Sequence, residues 1–301
     1  MKYIFHTSKE MLSVAKEENI TLSEVCLRKE TNLTNKTENE IKKILKSRLK
    51  VMKNSIDRGL EKERVTMGKM AGKNAITMKK FLKKNGFSDM TMSETAIKAS
   101  MYAIANNENN ACMGCIVACP TAGASGVLPA VLFATQEQFG FDEETLVEGF
   151  LVASGIGSVI AQNATLSGAK GGCQAEIGAA SAMAAAALTH MRGGSPDQCL
   201  HAAALSLKNM LGLACDPIGG MVEVPCIKRN AFGSQYALIA SDLAIIGIES
   251  YVPFDEVVEA LKNIGNLMST KIRETARGGL AISATGKRTS EKLGIKIEAN
   301  D

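Results

Sequence analysis

Tryptophan is absent from this 301-residue chain, aromatic residues account for only 4% of it, and it contains three histidines. Because few aromatic side chains are interleaved with basic ones, the pattern of a nucleic-acid-binding surface is missing, and we expect no nucleic-acid partner. No Gly-x-Ser-x-Gly sequence occurs, so nothing supports a serine hydrolase. His190 and His201 fall in apolar helical segments, a setting more typical of packed side chains than of catalysts.

A secretory leader and long apolar runs are also missing. The N-terminus lacks the basic-then-apolar form of a signal peptide, and the apolar run at 182–188 is shorter than the ~20 residues that span a bilayer. We therefore expect a cytoplasmic protein with no membrane partner. Thiols stay reduced in that compartment, so the eight cysteines indicate metal ligation or reactive chemistry rather than disulfides.

What the chain does contain favours helices. Its 46% of hydrophobic residues are mainly Ala, Ile, Leu, Val and 15 Met, and Ala, Leu and Met are good helix formers. Thr21 and Thr37 each precede a glutamate by three residues, the spacing of a capping box, and Ser195 followed by proline is a further helix start. Apolar residues at helical spacing from 41 predict a helix that stops near Gly59.

Further helices are predicted at 75–84, 93–105, 143–163, 175–191, 196–211, 235–248 and 254–268, whereas the Gly- and Pro-rich stretch 120–129 predicts a loop. Strand alternation is hard to find. We expect an all-α fold, a compact bundle of helices packed through small residues, with Gly/Pro loops that carry the functional side chains.

Charge is distributed unevenly along the chain. Residues 1–92 hold 21 Lys/Arg and 11 Asp/Glu, whereas the remainder holds 14 and 20. We interpret 1–92 as a polar, basic helical segment packed on the same domain, 93–286 as the catalytic helical domain, and 287–301 as a charged tail that frays. The two parts could also attract an oppositely charged partner chain.

Three cysteines between residues 171 and 230 stand beside glycine or proline. Cys173 follows two glycines, Cys215 opens the sequence CDPIGG, and Cys226 follows a proline. Their spacing alone is a weak signal, because cysteines in apolar sequence are often buried and inert. The neighbouring glycines, however, let the backbone turn round a ligand and aim N–H groups at it.

We interpret this trio as ligands of an iron–sulfur cluster. Three thiolates leave one iron of a four-iron cluster without a protein ligand. An open iron suits Lewis-acid chemistry better than electron transfer.

A second group of cysteines lies close together in sequence. Cys112, Cys115 and Cys119 form C-x2-C-x3-C-P, which is similar to the end of a bacterial ferredoxin motif. The preceding cysteine and a second matching run are missing, and no histidine lies nearby to complete a zinc site. We interpret these cysteines as small residues packed beside a loop, and a secondary metal or redox role stays open.

Longer segments around the first trio resemble one family. The sequences KGGCQAEIG at 170–178, CDPIGG at 215–220 and VPCIKRN at 224–230 resemble the alpha chain of bacterial iron–sulfur-dependent L-serine dehydratase. PTAG at 120–123, SGVLPA at 125–130, LSEV at 22–25, GGL at 278–280 and TGKR at 285–288 match as well. The likeness extends over nearly the whole chain, but the run at 112–119 is outside it.

The resemblance implies that Cys173, Cys215 and Cys226 bind a 4Fe-4S cluster and that no pyridoxal phosphate is used. It implies elimination of water from L-serine, which gives pyruvate and ammonia. The further site residues that it implies are Thr121, Ala122, Gly123 and Asn230 for substrate binding, and Lys170 and Arg229 for catalysis.

The family also has a beta part, either fused ahead of the alpha part or on a separate chain. Because the alpha pattern begins almost at residue 1, we expect a separate beta chain that supplies the base, and we expect this chain alone to be inactive.

Two other functions stay open at this point. An iron–sulfur L-cysteine desulfidase would be chemically parallel but would release sulfide. A non-catalytic, metal-stabilised helical scaffold or electron carrier would need no open iron.

Overall fold

The computed structural model describes residues 2–295. Within them the chain forms thirteen α-helices, which are α1 (Ser8–Glu18), α2 (Leu22–Thr34), α3 (Glu38–Glu61), α4 (Asn74–Asn85), α5 (Glu94–Ala111), α6 (Val127–Phe139), α7 (Glu143–Asn163), α8 (Gly168–Gly171), α9 (Ile177–Met191), α10 (Pro196–Lys208), α11 (Cys226–Ile246), α12 (Phe254–Leu267) and α13 (Ala284–Lys292). Single 3-10 turns lie at Cys173–Ala175, Ile218–Gly220, Thr270–Ile272 and Gly279–Ile282. No strand occurs in this part of the chain, so the all-α prediction is confirmed.

The centre of the bundle is α9, in which 14 of 15 residues are buried. A helix that is apolar on every side is stable only when other helices surround it. Here α6, α7, α10 and α11 pack around α9, and its alanines allow them a close approach. The polar N-terminal helices join the same body, because α2 packs on α7 and α3 packs on α5.

Local capping sets several helix starts as predicted. Thr37 and Ser195 each form a full capping box, with Glu40 and Gln198 respectively. Thr21 makes only half of one, because its side chain accepts a hydrogen bond from the backbone N–H of Glu24 without the reciprocal bond. These starts depend on neighbours within one helical turn, which is why the sequence shows them directly.

The predicted end of α3 at Gly59 is wrong, since the helix continues to Glu61. Gly59 lies where α3 meets α5, and a Cβ atom there would be 2.1 Å from the carbonyl oxygen of Ala105. The missing side chain therefore permits close packing of two helices. Its role is not to stop the helix.

Three other differences reflect tertiary packing. The loop predicted at 120–129 ends earlier, because Val127 begins α6, a helix that the sequence did not indicate and whose first turn accommodates Pro129. The helix predicted from 235 starts nine residues earlier, at Cys226. The first residues of the predicted tail, 287–292, belong to α13, which is capped by Ser283, and the tail continues beyond the described residues.

One described helix, α7, has the length and apolar composition of a membrane span. Of its most apolar 18-residue window, 67% is buried inside the protein. Core helices of soluble proteins pass the same test. α7 packs against α2 and α9, as expected of a core helix.

Candidate metal centre

The cysteines of the first trio lie on three separate elements. Cys173 opens the 3-10 turn before α9, Cys215 lies in the loop between α10 and α11, and Cys226 is the first residue of α11. Their exposed fractions are 3%, 3% and 8%. All three are thus buried, with Cys173 and Cys226 at the start of a helical element and Cys215 within a loop.

A buried glutamine joins the first two of these segments. The side chain of Gln174 accepts a hydrogen bond from the Gly212 N–H at 2.9 Å and donates to the Leu261 carbonyl at 3.0 Å. Its own N–H donates to the Leu213 carbonyl at 3.1 Å. Gln174, the residue after Cys173, therefore holds the loop that leads to Cys215.

Burial, and for Cys215 and Cys226 also the charge of neighbouring thiolates, raises the pKa of the three thiols. Burial raises the pKa of Cys173 to about 11, although the charge of Arg229 opposes the rise. Burial and then the negative charge of Cys173 raise the pKa of Cys226 to about 12. The pKa of Cys215 is raised too, by burial first and then by Cys173, Glu176 and Cys226. Each cysteine therefore lies within electrostatic reach of the others.

These residues fit an iron–sulfur cluster. Thiolates that repel one another are stabilised by a bound group that carries positive metal ions, and metal binding releases their protons. Among the described residues, no three His, Cys, Asp or Glu side chains are placed so that they could hold one metal ion together. Ligands of a polynuclear cluster bind different irons and stand further apart. Three buried thiols on separate segments are the type of ligand that iron–sulfur clusters use.

A carboxylate stands between the cysteines and the PTAG loop at 120–123. Glu176 accepts a hydrogen bond from the Thr121 hydroxyl at 2.6 Å, and its other oxygen lies 3.9 Å from the Cys215 sulfur. Burial raises the pKa of Glu176, and the Thr121 hydrogen bond partly opposes that rise. Glu176 therefore connects Thr121, a residue of the predicted loop, with Cys215.

The other predicted loop residues are held by asparagines. The Gly123 carbonyl accepts hydrogen bonds from Asn230 at 2.8 Å and Asn107 at 3.0 Å. The Asn230 oxygen accepts in turn from the Gly126 N–H at 3.0 Å. Ala122 is exposed. Both ends of the Asn230 amide are thus occupied in fixing the loop.

Arg229 is part of a buried ion pair. One guanidinium nitrogen donates to Asp216 at 2.9 Å, and another donates to the Ala214 carbonyl at 2.7 Å. Asp216 also accepts from the Leu280 N–H at 2.8 Å. The side chains are only 18% and 8% exposed. Arg229 therefore braces the loop on both sides of Cys215 from the first turn of α11.

Lys170 ends up at the edge of this site. It is the third residue of α8 and is exposed. Its carbonyl accepts a hydrogen bond from Arg273 at 3.3 Å. The catalytic role implied for Lys170 stays a prediction.

The second group of cysteines separates in the structure. Cys119 is buried, Cys112 is half-buried and Cys115 is exposed. The predicted packing role therefore applies to Cys119, whose thiol faces the Val117 and Ser125 carbonyls.

A cavity of about 670 Å³ lies elsewhere, between α5, α6, α9 and α11. Apolar side chains such as Met92, Phe139 and Ile239 line it, and none of the predicted site residues does. Its volume alone gives it no chemistry, so we assign the candidate site to the cysteines.

Three charged residues at the site were missed by the sequence analysis, namely Glu176, Asp216 and Arg273. The first two are inside the quoted motifs, where Asp216 follows Cys215 directly and Glu176 is three residues after Cys173, and this proximity was the available signal. Arg273 had none, because it is 58 positions from Cys215 in sequence and meets it only in the fold.

Comparison with known proteins gives consistent matches. The family model described as "Serine dehydratase alpha chain" matches residues 17–281. The chain is 43% identical to the probable L-serine dehydratase, alpha chain, of Bacillus subtilis, over 96% of this chain and 95% of that protein. It is 45% identical to the L-serine dehydratase, alpha chain, of Peptoniphilus asaccharolyticus, over 95% and 97%. The L-serine dehydratase of Streptomyces coelicolor is 39% identical over 94% of this chain, which spans 62% of that longer protein.

Proposed function

The chain belongs to the serine dehydratase alpha-chain family, and we propose that it eliminates water from L-serine, as a carbon–oxygen lyase, in a cytoplasmic complex with a separate beta chain. Its relatives of similar length are named as alpha chains. A longer relative named L-serine dehydratase has additional sequence, which supports a second part for the complete enzyme.

The observation that carries this proposal is the position of the three buried cysteines. They lie beside Glu176, whose carboxylate contacts both the PTAG loop and Cys215. A metal group bound there would therefore face a loop suited to hold a small substrate. A structural metal site would need no such loop.

We assign the ligands of a 4Fe-4S cluster to Cys173, Cys215 and Cys226. Such a cluster, when bound by three thiolates, supplies an open iron as a Lewis acid for the hydroxyl group that leaves serine. No pyridoxal phosphate enters the proposal. The remaining steps fall to protein side chains and to the beta chain.

The residues of this chain bind and orient the substrate. Thr121 with Ala122 and Gly123 forms the pocket wall, and Asn230 keeps that wall in place through its hydrogen bonds to the loop. Arg229 is a positioning residue, because it fixes the loop around Cys215. Lys170 borders the opening of the site.

The reaction balances without a redox partner. A base, which we place on the beta chain, takes the proton from Cα, and the Cβ–O bond breaks as the hydroxyl leaves with a proton as water. The resulting aminoacrylate tautomerises to an imine. Water then hydrolyses the imine to pyruvate and ammonia.

The experiment tests the cysteines and the substrate together. The chain is reconstituted anaerobically with iron and sulfide, alone and with its beta chain, and pyruvate formation from L-serine is measured beside sulfide release from L-cysteine. Cys173→Ser, Cys215→Ser and Cys226→Ser should each lose bound iron and turnover. Cys199→Ser, a fully buried thiol on α10, is the matched control and should retain both.

Several results would contradict the proposal. Equal damage from Cys112→Ser would mean that the ligand set is wrong. Preferential sulfide release would identify a cysteine desulfidase. Zinc without iron would indicate a structural metal, and full activity of this chain alone would exclude the need for a beta chain.

A further inference from the structure

The segment after α12 runs directly beside Cys215. The Cys215 N–H donates to the Ile272 carbonyl at 2.9 Å, and the Cys215 carbonyl accepts from the Glu274 N–H at 2.7 Å. These two bonds form an isolated parallel bridge between Cys215 and Arg273. The backbone of Arg273 is therefore fixed next to a proposed cluster ligand.

The side chain of Arg273 extends towards a second ligand. Its Nη1 donates to the carbonyl of Lys170 at 3.3 Å, and Lys170 begins the sequence that leads to Cys173. Arg273 thus joins the segments of two of the three cysteines, one through its backbone and the other through its guanidinium. The residue is half-buried.

One donor of this guanidinium has no acceptor. The Arg273 Nε is buried and makes no hydrogen bond to the described residues. A buried charged donor without a partner is destabilising, so an acceptor that binds beside this Nε would be stabilised by it. Arg229 differs, because its hydrogen bonds to Ala214 and Asp216 are made within the protein.

The charges around the site define the kind of acceptor. Glu176 lies 3.9 Å from the Cys215 sulfur and Glu274 is the residue after Arg273, so these carboxylates would repel an anionic substrate unless a cation bound it. A guanidinium presents a planar fork of N–H donors that matches a carboxylate. Glu274 and Ala276 also have left-handed backbones, with φ of 63° and 55°, and such conformations in residues other than glycine concentrate at ligand sites.

We propose that Arg273 binds the α-carboxylate of the substrate. This inference rests on the proposed function, since it assumes that a small amino acid reacts at the cysteines. Arg273 is then a substrate-binding residue, and Arg229 is the arginine that holds the loop.

The test compares Arg273→Gln with Lys271→Gln in the complete two-chain enzyme. Both substitutions remove one positive charge from the same segment, but Lys271 is exposed. Kinetics with L-serine are combined with inhibition by L-alanine, which keeps the carboxylate but has no leaving hydroxyl, and by ethanolamine, which has no carboxylate. Iron content and visible absorption are measured on each variant.

For Arg273→Gln we expect KM for L-serine and the inhibition constant of L-alanine to rise about 10- to 100-fold, the effect of losing a charged hydrogen bond. Inhibition by ethanolamine, iron content and absorption should stay as in the unsubstituted enzyme. Arg273→Lys should recover part of the loss, and Lys271→Gln should change none of these quantities.

Unchanged KM together with altered iron content or absorption would overturn the proposal, because Arg273 would then serve the cluster. A rise in KM with equal weakening of ethanolamine would also overturn it, since the effect would not depend on the carboxylate. Failure of the proposed function is distinguishable, because the unsubstituted enzyme would then form no pyruvate from L-serine, whereas failure of this inference leaves that turnover intact.

Discussion

Replacing Asp216 with alanine should destabilise the protein and loosen the Cys215 loop. The change removes the carboxylate that accepts from Arg229 at 2.9 Å and from the Leu280 N–H at 2.8 Å. It leaves a buried guanidinium without its counter-charge and an amide without its acceptor. Removing one partner of a buried ion pair costs about 3–5 kcal/mol.

The expected loss is smaller here, because the Arg229 side chain retains 18% exposure and water can partly solvate it. We expect Asp216→Ala to lower the free energy of unfolding by about 2–4 kcal/mol. Asp216→Asn keeps one acceptor oxygen and should lose about half as much. Both variants should also retain less iron after reconstitution, since the loop that holds Cys215 is less constrained.

The matched control is Asp242→Ala. Asp242 also pairs with an arginine, Arg192, at 2.6 Å, but its side chain is 61% exposed. Exposed ion pairs contribute about 0–1 kcal/mol. The two arginines are about equally exposed, so the pairs differ in the burial of the aspartate and in the second hydrogen bond that Asp216 accepts from Leu280.

Urea unfolding of the metal-free chain, followed by circular dichroism, measures both variants under the same conditions. A loss below 1 kcal/mol for Asp216→Ala, or a loss no larger than that for Asp242→Ala, would refute the reasoning. A changed slope of the transition would show that the substitution alters the denatured or native state more widely.

Three further substitutions follow from individual contacts. Thr121→Val removes the hydroxyl that donates to Glu176 at 2.6 Å and should lower turnover about tenfold with iron content unchanged. Iron content and pyruvate formation are measured for this variant and for the unsubstituted enzyme. Equal turnover of the two would contradict the prediction. Gly59→Ala places a Cβ 2.1 Å from a carbonyl oxygen of α5 and should cost about 1–3 kcal/mol of stability in urea unfolding, so a neutral result would mean that the two helices separate easily. Although burial opposes it, hydrogen bonds led by that from Lys98 lower the pKa of Glu137. Its stabilising contribution is present above the unfolded carboxyl pKa of about 4.3 and is lost as the pH falls through the lower folded value, so thermal unfolding between pH 5 and pH 2 should show a larger loss for the unsubstituted chain than for Glu137→Gln.

Several structural features of this protein can be predicted from the sequence, because the residues that determine them are close along the chain. The capping interactions of Thr37 and Ser195 act within one helical turn, and α7 begins and ends where its apolar pattern does. The abundance of small helix formers determines the all-α class. The cysteines of the candidate site stand out for a similar reason, since each is flanked by turn residues.

Other features exist only where distant segments meet. Gly59 looks like a helix stop until α5 is seen packed against it, and the beginning of α6 depends on its burial in the core. Arg273 reaches Cys215 and Lys170 through the fold alone. The sequence by itself thus determined the class of fold and the three thiols, because helix propensity and turn chemistry are local. Tertiary structure decided which charged groups surround those thiols, because electrostatic and hydrogen-bond partners are selected by proximity in space.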